Sequence, residues 1–595
     1  MKKIVLYSIL LSLTFTSCKK EVKENNKDTI NISKAFNELL DNYNEENFKF
    51  FPLNATFAGD NRYNDQLPNY LSDEFSTQLK SFYTNTKNSL ATFKDTDLSD
   101  TEKLSKTVLL WDCNINLEKL AFNQNLTPIN QMWTQQLMFG QLASGAGAQP
   151  FKTVEDYNNW LKRVDHYLEW MQSAEEKMKE GVKLNHVLPK ALIKKVIPQL
   201  AALTGKNINE HLFFKPVKNF PENFTDADKT RLTESFTLMV KDKVIPAYTK
   251  LHQFMRTEYL AAGRTTSGID DTPKGKAYYT HQIKTYTTTS MTADEIHQLG
   301  LSEVARILSE MEKVKVQVGF KGNLKTFFND VRDNKELMPY TEPQQIIDNF
   351  NAIHTQMKPQ IEKLFGKKPK TPFEVRRTET FREASASAEY NQGSLDGTRP
   401  GIFYTPIPDA SKYNIYADEA LFLHEAIPGH HYQISLTQEN QDLPEFRKTL
   451  WYSAYGEGWA LYTESLGKEL GLYTDPYQYF GMLSMEMHRA IRLVVDTGLH
   501  AKGWTREKAI QYSLDNEAEP EASIISEIER YMANPGQALS YKIGQLKIRE
   551  LRARAEKTLG DKFDIKEFHD QVLETGCIPL ALLEAKIDRW IASKK

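Results

Sequence analysis

Cysteine is scarce in this chain, with three residues in 595. Cys18 belongs to the N-terminal segment, so only Cys113 and Cys577 remain, too few for a disulfide scaffold in a protein of this size. Beyond the N-terminus, no apolar run reaches the length of a membrane span. The net charge is only −3, so the charge balance does not indicate a nucleic-acid partner.

The first eighteen residues have the layout of a secretory signal. Lys2 and Lys3 precede an apolar stretch, and the segment ends in Phe-Thr-Ser-Cys, which resembles the bacterial lipoprotein box. We therefore predict a lipoprotein signal peptide over residues 1–18, lipidation of Cys18 and a flexible tether over residues 19–30. The lipid would be the only membrane anchor of an exported protein that faces the periplasm or the cell exterior. An ordinary cleaved signal with an incidental cysteine is the alternative.

Helical periodicity dominates the rest of the chain. The Gly-, Ser- and Thr-rich stretch 263–276 marks the best internal boundary, between an N-terminal helical region, 31–265, and a catalytic region, 266–595. Residues 373–404 combine β-branched and aromatic residues with turn signals, and 401–404 read as one strand. We predict a mainly α fold, in which a large helical body has a central cleft and a small strand-containing patch.

Three histidines, His424, His430 and His431, fall within the eight residues HEAIPGHH. Glu425 follows the first, and the flanking residues are apolar on every side, which is typical of a buried helix. Buried imidazoles and a buried carboxylate are unfavourable unless something satisfies them. A divalent metal would satisfy all of them at once, so the segment predicts a metal site.

The spacing of these histidines differs from the H-E-x-x-H signal of zinc proteases, which places two imidazoles on one helix face. The fourth residue after His424 is Pro428, and His430 and His431 follow at six and seven residues. On an unbroken helix neither would share an ion with His424. Because Pro428 and Gly429 disturb a regular helix, we predict a two-residue bulge that brings His430 to the ligand position. His431 is the alternative ligand, and otherwise a neighbour that faces the substrate.

A catalytic zinc ion needs a third protein ligand and an open position for water. The apolar segment 455–464 carries two acids, Glu457 and Glu464, which are seven residues apart and therefore share a helix face. Periodicity alone does not choose between them.

The segment 457–460, EGWA, resembles the E-G-[FW]-A segment of the gluzincin metallopeptidases, whose glutamate is the third ligand. The pattern H-E-A-x-P-G-H-H followed by E-G-W-A is similar to a large bacterial family, domain of unknown function 885, which is grouped with zincin-like peptidases. The resemblance implies a zincin-like core and one zinc ion per chain on His424, His430 and Glu457. It also implies that Glu425 acts as the general base.

Three further residues are candidates for contact with a substrate. The resemblance extends to residues 535–544, where Tyr541 would donate a hydrogen bond to the oxyanion, and packing at a helix start is the alternative role. Arg492 lies on a polar helix stripe and would bind a substrate carboxylate or pair with Asp496. Residues 401–404 would form an edge strand that pairs with an extended peptide, which places Tyr404 beside the substrate.

Together these features predict a zinc-dependent peptidase that cleaves short peptides. Glu425 would take a proton from water and pass it to the leaving amine. Two alternatives stay open: a zinc hydrolase of a non-peptide amide or ester, and a non-catalytic lipoprotein that binds a metal or another ligand. The sequence determines neither the end from which a peptide is cut nor the oligomeric state.

Overall fold

The computed structural model describes the backbone of residues 18–595, apart from positions 133, 146, 380–382, 384–385 and 395–398, and describes side chains from residue 31 onward. Within these residues the protein is mainly helical with one small sheet, which confirms the predicted fold class at that level. No helix in the described part is long and apolar enough to cross a membrane. The predicted signal peptide lies outside the described residues except for Cys18.

Helices of very different length make up both halves of the chain. The N-terminal half contains α1 Cys18–Phe50, α2 Pro52–Ala58, α3 Asp73–Ala91, α4 Asp100–Lys119, α5 Gln135–Ala143, α6 Val154–Lys183, α7 Lys190–Ala201, α8 Asp226–Leu238, α9 Ile245–Phe254, α10 Leu260–Ala262, α11 Gly275–Thr287 and α12 Ala293–Gln317. The C-terminal half contains α13 Leu324–Asp333, α14 Pro343–Leu364, α15 Asp418–Glu425, α16 His430–Glu439, α17 Glu445–Lys448, α18 Ser453–Glu464, α19 Pro476–Ala501, α20 Arg506–Asn516, α21 Glu521–Ala533, α22 Ser540–Leu559, α23 Ile565–Leu573 and α24 Leu580–Lys594.

Shorter helical turns join these helices. Two π-helical turns, Met239–Val244 and Met255–Tyr259, connect α8, α9 and α10 into one continuous rod. Turns of 3₁₀ geometry occur at Asn61–Tyr63, Asp95–Asp97, Gln124–Leu126, Ile208–Glu210, Leu212–Lys218, Ile269–Asp271, Lys335–Leu337, Ala410–Lys412, Gln537–Leu539 and Gly560–Lys562.

The sheet has three short strands, β1 Phe373–Arg377, β2 Glu389–Asn391 and β3 Gly401–Thr405, in the order β1-β3-β2. The strand predicted at 401–404 is confirmed as β3. Its predicted edge position is wrong, because β1 pairs with it in parallel on one side and β2 antiparallel on the other. A peptide therefore cannot pair with β3 by β-augmentation while both neighbours are in place.

Two hydrophobic cores fill the helical body. One lies within the N-terminal half and contains buried aromatic residues such as Trp160 and Phe213. The other joins residues of α1, α3 and α4 to the C-terminal helices, and Tyr43 of α1 packs edge-on against Phe446 at 5.8 Å. Helices close to the N-terminus thus contribute to the core beneath the C-terminal region. The division of the chain near residue 265 stays a prediction.

The segment predicted as a tether, residues 19–30, forms the first turns of α1, which begins at Cys18. Its role as a tether and the lipidation of Cys18 stay predictions. Cys113 and Cys577 are buried free thiols, so they do not form a disulfide.

Helix α18 lies against α22 at unusually close range because both carry glycine at the contact. A Cβ atom added to Gly544 would lie 1.8 Å from the carbonyl oxygen of Ala454, and one added to Gly458 would lie 2.5 Å from the Cα of Gly544. One turn earlier, the hydroxyls of Ser453 and Ser540 are 2.7 Å apart. The beginnings of α18 and α22 are therefore neighbours that run in the same direction.

The start of α15 is fixed against the start of α19. The Gln478 side chain accepts a hydrogen bond from the Glu419 amide at 3.1 Å and donates one to the Ile415 carbonyl at 2.7 Å. A Cβ atom added to Gly481 would lie 2.0 Å from the carbonyl oxygen of Tyr416. These contacts set the position of α15 relative to the long helix α19.

Candidate metal centre

Three predicted ligands, His424, His430 and Glu457, come together from α15, α16 and α18, and we name them the His–Glu cluster. Each offers one ligand atom, and these atoms lie within 4.8 Å of one another. An oxygen of Glu457 is 3.4 Å from Nε2 of His430 and 3.7 Å from Nε2 of His424. The two imidazole rings are perpendicular, with centroids 4.9 Å apart. Two ring nitrogens and one carboxylate oxygen thus face a common point.

The chain between the two histidines forms a complete break rather than the predicted bulge within one helix. Helix α15 ends at Glu425 and α16 begins at His430, and the Ile427–Pro428 peptide bond is cis. Gly429 returns so close to α15 that an added Cβ atom would lie 1.9 Å from the carbonyl oxygen of His424. Only glycine fits at this position. The close return of the chain that it permits brings His430 beside His424.

Glu464, the other acid considered as third ligand, lies behind His424. Its Oε1 is 2.7 Å from Nδ1 of His424, and both residues are almost fully buried. This contact leaves Nε2 of His424 free to face Glu457. Although burial opposes the change, the carboxylates of Glu457 and Glu464 raise the pKa of His424 to about 9. Of the two acids, the structure therefore places Glu457 in the His–Glu cluster and Glu464 as a positioning group.

Glu425 follows His424 directly and is 9% exposed. Burial raises the pKa of its carboxyl group, and the charge of Glu457 acts in the same direction. The charges of His424, His430 and Arg489 oppose this increase. A carboxyl group whose pKa moves toward neutrality is suited to accept and return a proton near pH 7.

His431 lies outside the His–Glu cluster. Its Nδ1 is 3.0 Å from the hydroxyl of Tyr390, and its ring centroid is 5.0 Å from that of Phe373. Burial lowers the pKa of His431 to about 4, so the ring is neutral at physiological pH. Its neighbours thus belong to the sheet region, and the substrate contact predicted for it stays a prediction.

Tyr541 lies in the first turn of α22 and its ring stacks with the guanidinium group of Arg492 at 4.5 Å. Burial raises the pKa of Tyr541, and the negative charge of Glu457 raises it further. Its neighbour Ser540 is 2.7 Å from Ser453 at the start of α18, the helix that carries Glu457. The predicted role of Tyr541 as a hydrogen-bond donor to substrate stays a prediction.

Arg492 is paired with Glu527 at 2.9 Å and donates to the hydroxyl of Tyr531 at 3.1 Å. The alternative prediction of an ion pair with Asp496 is wrong. Asp496 instead accepts hydrogen bonds from the Tyr279 hydroxyl at 2.6 Å and the Gly536 amide at 3.1 Å.

Tyr404 lies on β3, where it is in register with Arg376 of β1 and Glu389 of β2. These are residues of the sheet rather than of the His–Glu cluster. The predicted contact of Tyr404 with substrate stays a prediction, without the edge strand on which it was based.

The chain matches the model of the family described as "Bacterial protein of unknown function (DUF885)" over residues 52–587. The chain belongs to this family. A candidate lipoprotein from Colwellia psychrerythraea has a similar structure, with a TM-score of 0.87 and 30% identity over 95% of this chain and 100% of that chain. A candidate lipoprotein of unknown function from Shewanella oneidensis shares the fold, with a TM-score of 0.73 and 17% identity over 92% of this chain and 99% of that chain. None of the curated proteins compared matches.

Two further residues of this DUF885 protein were not predicted as site residues. The ring of Trp451 is 5.9 Å from that of His430 and lines a cavity of about 450 Å³, together with Phe57 and Gln433. Arg489 lies one turn before Arg492 on α19. The i, i+3 spacing of these two arginines was the available sequence signal, whereas no local pattern marked Trp451.

Proposed function

We propose that this protein is a zinc-dependent hydrolase with a zincin-like core, and that its substrates are short peptides. The proposal is carried by the His–Glu cluster, in which ligand atoms of His424, His430 and Glu457 lie within 4.8 Å of one another. The acid Glu425 is the next residue after the first ligand. Metal ligands alone would favour any metal-binding role, and a buried acid beside them favours catalysis.

The residues present fit zinc. Two imidazoles and one carboxylate form a common three-ligand set of catalytic zinc sites, in which a fourth position takes water or substrate. The hydrogen bond between Glu464 and Nδ1 of His424 is the kind of support that orients a ligating histidine. Nδ1 of His430 has no such partner among the described residues, so this ring is held by packing, including its contact with Trp451.

When bound, zinc would supply a Lewis acid that activates water and polarises the scissile carbonyl. The Glu425 carboxylate accepts the proton from water and returns it to the leaving nitrogen. The Tyr541 hydroxyl donates a hydrogen bond to the carbonyl oxygen, where negative charge develops. Water adds its hydroxyl to the carbonyl carbon and its proton to the nitrogen, so one amide gives one acid and one amine.

The preference for short peptides is supported by a cavity lined in part by Trp451, whose ring is 5.9 Å from that of His430. The cavity next to Trp451, about 450 Å³, is in the size range of small-ligand sites. It accommodates a few residues and is far too small for a folded protein. The same chemistry would hydrolyse a non-peptide amide or ester, so a panel of such compounds belongs in the first assay.

We also propose that the protein is an exported lipoprotein, anchored through Cys18 and exposed to the periplasm or cell exterior. This location is supported by the resemblance of residues 15–18 to a lipoprotein box. It is supported further by the description of both structural relatives as candidate lipoproteins.

The test combines metal content with peptide cleavage by the purified full chain. We expect one zinc per chain in the wild type and in Glu425→Gln, and a loss of activity in that variant of about 10²- to 10⁴-fold. Glu445→Gln is the matched control, since Glu445 is an exposed acid paired with Lys448. Full activity in Glu425→Gln that resists a chelator would remove the proposed mechanism.

A further inference from the structure

Two arginines on α19, Arg489 and Arg492, have hydrogen-bonding capacity that the protein does not use. Arg492 is 7% exposed, and its Nη1 is buried without a hydrogen-bond partner among the described residues. Nε of Arg489 is buried and unpartnered in the same way. Because the residues are three apart, both side chains lie on one side of the helix. Buried guanidinium nitrogens are normally satisfied, so two unpartnered ones on one helix face call for an acceptor.

Arg492 reaches the His–Glu cluster through Tyr541. Its guanidinium group stacks on the phenol ring at 4.5 Å. The position of Tyr541 follows from the close packing of α18 and α22, since the Ser453–Ser540 contact and the glycine contact of Gly458 lie on either side of it. Glu457 belongs to the same part of α18, since it directly precedes Gly458. Arg492 therefore lies in the layer directly behind Tyr541.

Arg489 reaches the cluster from the side of the general base. Gly481 of α19 contacts the backbone at Ala417, immediately before α15. Counted from this contact, Glu425 and Arg489 are each eight residues further along the chain. The two arginines thus flank the reacting groups, one beside Glu425 and the other behind Tyr541.

The positive charge on this face is not fully paired. Glu527 is shared by Arg492 at 2.9 Å and Arg530 at 2.8 Å, and it lies 3.4 Å from His488, which pairs more closely with Glu517 at 2.6 Å. Among the residues that the structure describes, no carboxylate lies within 4.0 Å of Arg489, whose hydrogen bond goes to the Met485 carbonyl at 3.3 Å. A partly buried cation without a partner is unfavourable unless an anion binds.

We propose, on the basis of the proposed function, that Arg489 and Arg492 bind a carboxylate of the substrate. The favoured source is a free C-terminal carboxylate close to the scissile bond, which would make the enzyme one that removes or releases C-terminal residues. Guanidinium groups match a carboxylate in shape and charge, whereas a neutral C-terminal amide offers one acceptor and no charge. An aspartate or glutamate side chain at the same position offers the same chemistry.

A binding assay tests this proposal without turnover. Calorimetry of the full-length Glu425→Gln chain would use three N-acetylated peptides: a free acid, its C-terminal amide, and an amide that ends in glutamate. We expect the free acid to bind about 10- to 100-fold more tightly than its amide, which is the effect of charge-assisted hydrogen bonds. Tight binding of the glutamate amide would assign the side chain as the carboxylate source. Equal binding of all three peptides would overturn the proposal.

Substitutions test whether the arginines cause the preference for the free acid over the amide. Arg489→Gln should reduce the preference for the acid over the amide about 10-fold, while binding of the amide changes less than about 3-fold. Arg549→Gln, at a half-exposed arginine that pairs with Glu486, should leave both affinities unchanged. Measuring the zinc content of the same samples distinguishes failure of the arginine proposal from failure of the metal-based function. Bound zinc with no acid preference overturns the arginine proposal alone, whereas acid preference without zinc supports it and overturns the metal-based function.

Discussion

The hydrogen bond between Glu464 and His424 gives the sharpest quantitative prediction. Glu464 is 1% exposed and His424 3%, and their contact is 2.7 Å. Glu464→Gln keeps the shape of the side chain but removes the charge that holds the imidazole. Loss of such a supporting carboxylate commonly weakens metal binding about 10- to 100-fold, or roughly 1.4–2.7 kcal/mol. Zinc should still bind with one ion per chain, because Glu464 does not contribute a ligand atom.

The same variant changes how zinc affinity depends on pH. The carboxylates of Glu457 and Glu464 raise the pKa of the metal-free His424 to about 9. A proton therefore competes with zinc below pH 9, and wild-type zinc affinity should rise with pH up to that value. Glu464→Gln removes one of the causes, so proton competition ends at lower pH. We expect the affinity gap between wild type and variant to widen from pH 7 to pH 9.

The assay is a competition titration against a chelator of known zinc affinity, at several pH values. Glu469→Gln serves as the control, since Glu469 is a partly exposed acid that pairs with Arg552. Glu457→Gln should lose stoichiometric zinc. The reasoning fails if Glu464→Gln binds zinc as tightly as wild type at pH 9, or if Glu464→Gln loses zinc while Glu457→Gln keeps it.

Three further predictions concern catalysis and stability. Tyr541→Phe should lower kcat about 10- to 100-fold with zinc content unchanged, measured by steady-state kinetics, and an unchanged kcat would contradict its role at the oxyanion. Gly544→Ala should lower the free energy of unfolding by about 1–3 kcal/mol in urea titrations, because its Cβ would lie 1.8 Å from the Ala454 carbonyl, and wild-type stability would contradict this packing. Burial raises the pKa of Asp496 to about 7 from 3.8, so the folded protein holds a proton that the unfolded chain loses near pH 4. From pH 4 to 7 the wild type should therefore lose on the order of 2–4 kcal/mol relative to Asp496→Asn, and equal pH slopes would contradict this.

Much of the fold class and of the His–Glu cluster could be predicted because the signals are local. Helical periodicity can be detected in short stretches of sequence, and the β-branched and aromatic composition of β3 distinguishes it from the helices. His424, His430 and Glu425 lie within seven residues. A proline and a glycine between the histidines indicated an interrupted helix, which is the property that allows His430 to approach His424.

The features that could not be predicted depend on contacts between distant parts of the chain. The order β1-β3-β2 requires a parallel pairing across more than twenty residues, and no local pattern encodes it. Glu457 and Glu464 share a helix face, but they are separated by two turns, or about 10 Å, so only the packing of α15 decides which one faces the ligand site. The position of Arg489 relative to Glu425 depends on the packing of α19 beside α15, so the local sequence does not predict it.

The residues between α15 and α16 predicted a bulge within one helix, whereas the structure has a complete break between two helices. Pro428 and Gly429 indicated a disturbance of unknown size. The observed return is tight because Gly429 packs directly on the carbonyl of His424, and that contact depends on the final position of both helices. Local breaker residues thus located the irregularity, and tertiary packing set its geometry.

The most direct test of the metal centre is a crystal structure of the zinc-loaded protein with anomalous scattering measured at the zinc edge. We expect one strong peak about 2.0–2.2 Å from Nε2 of His424, Nε2 of His430 and a carboxylate oxygen of Glu457. A protein that binds no zinc would contradict this expectation. So would a peak centred on His431, or one centred on His488 and Glu517, which are 2.6 Å apart.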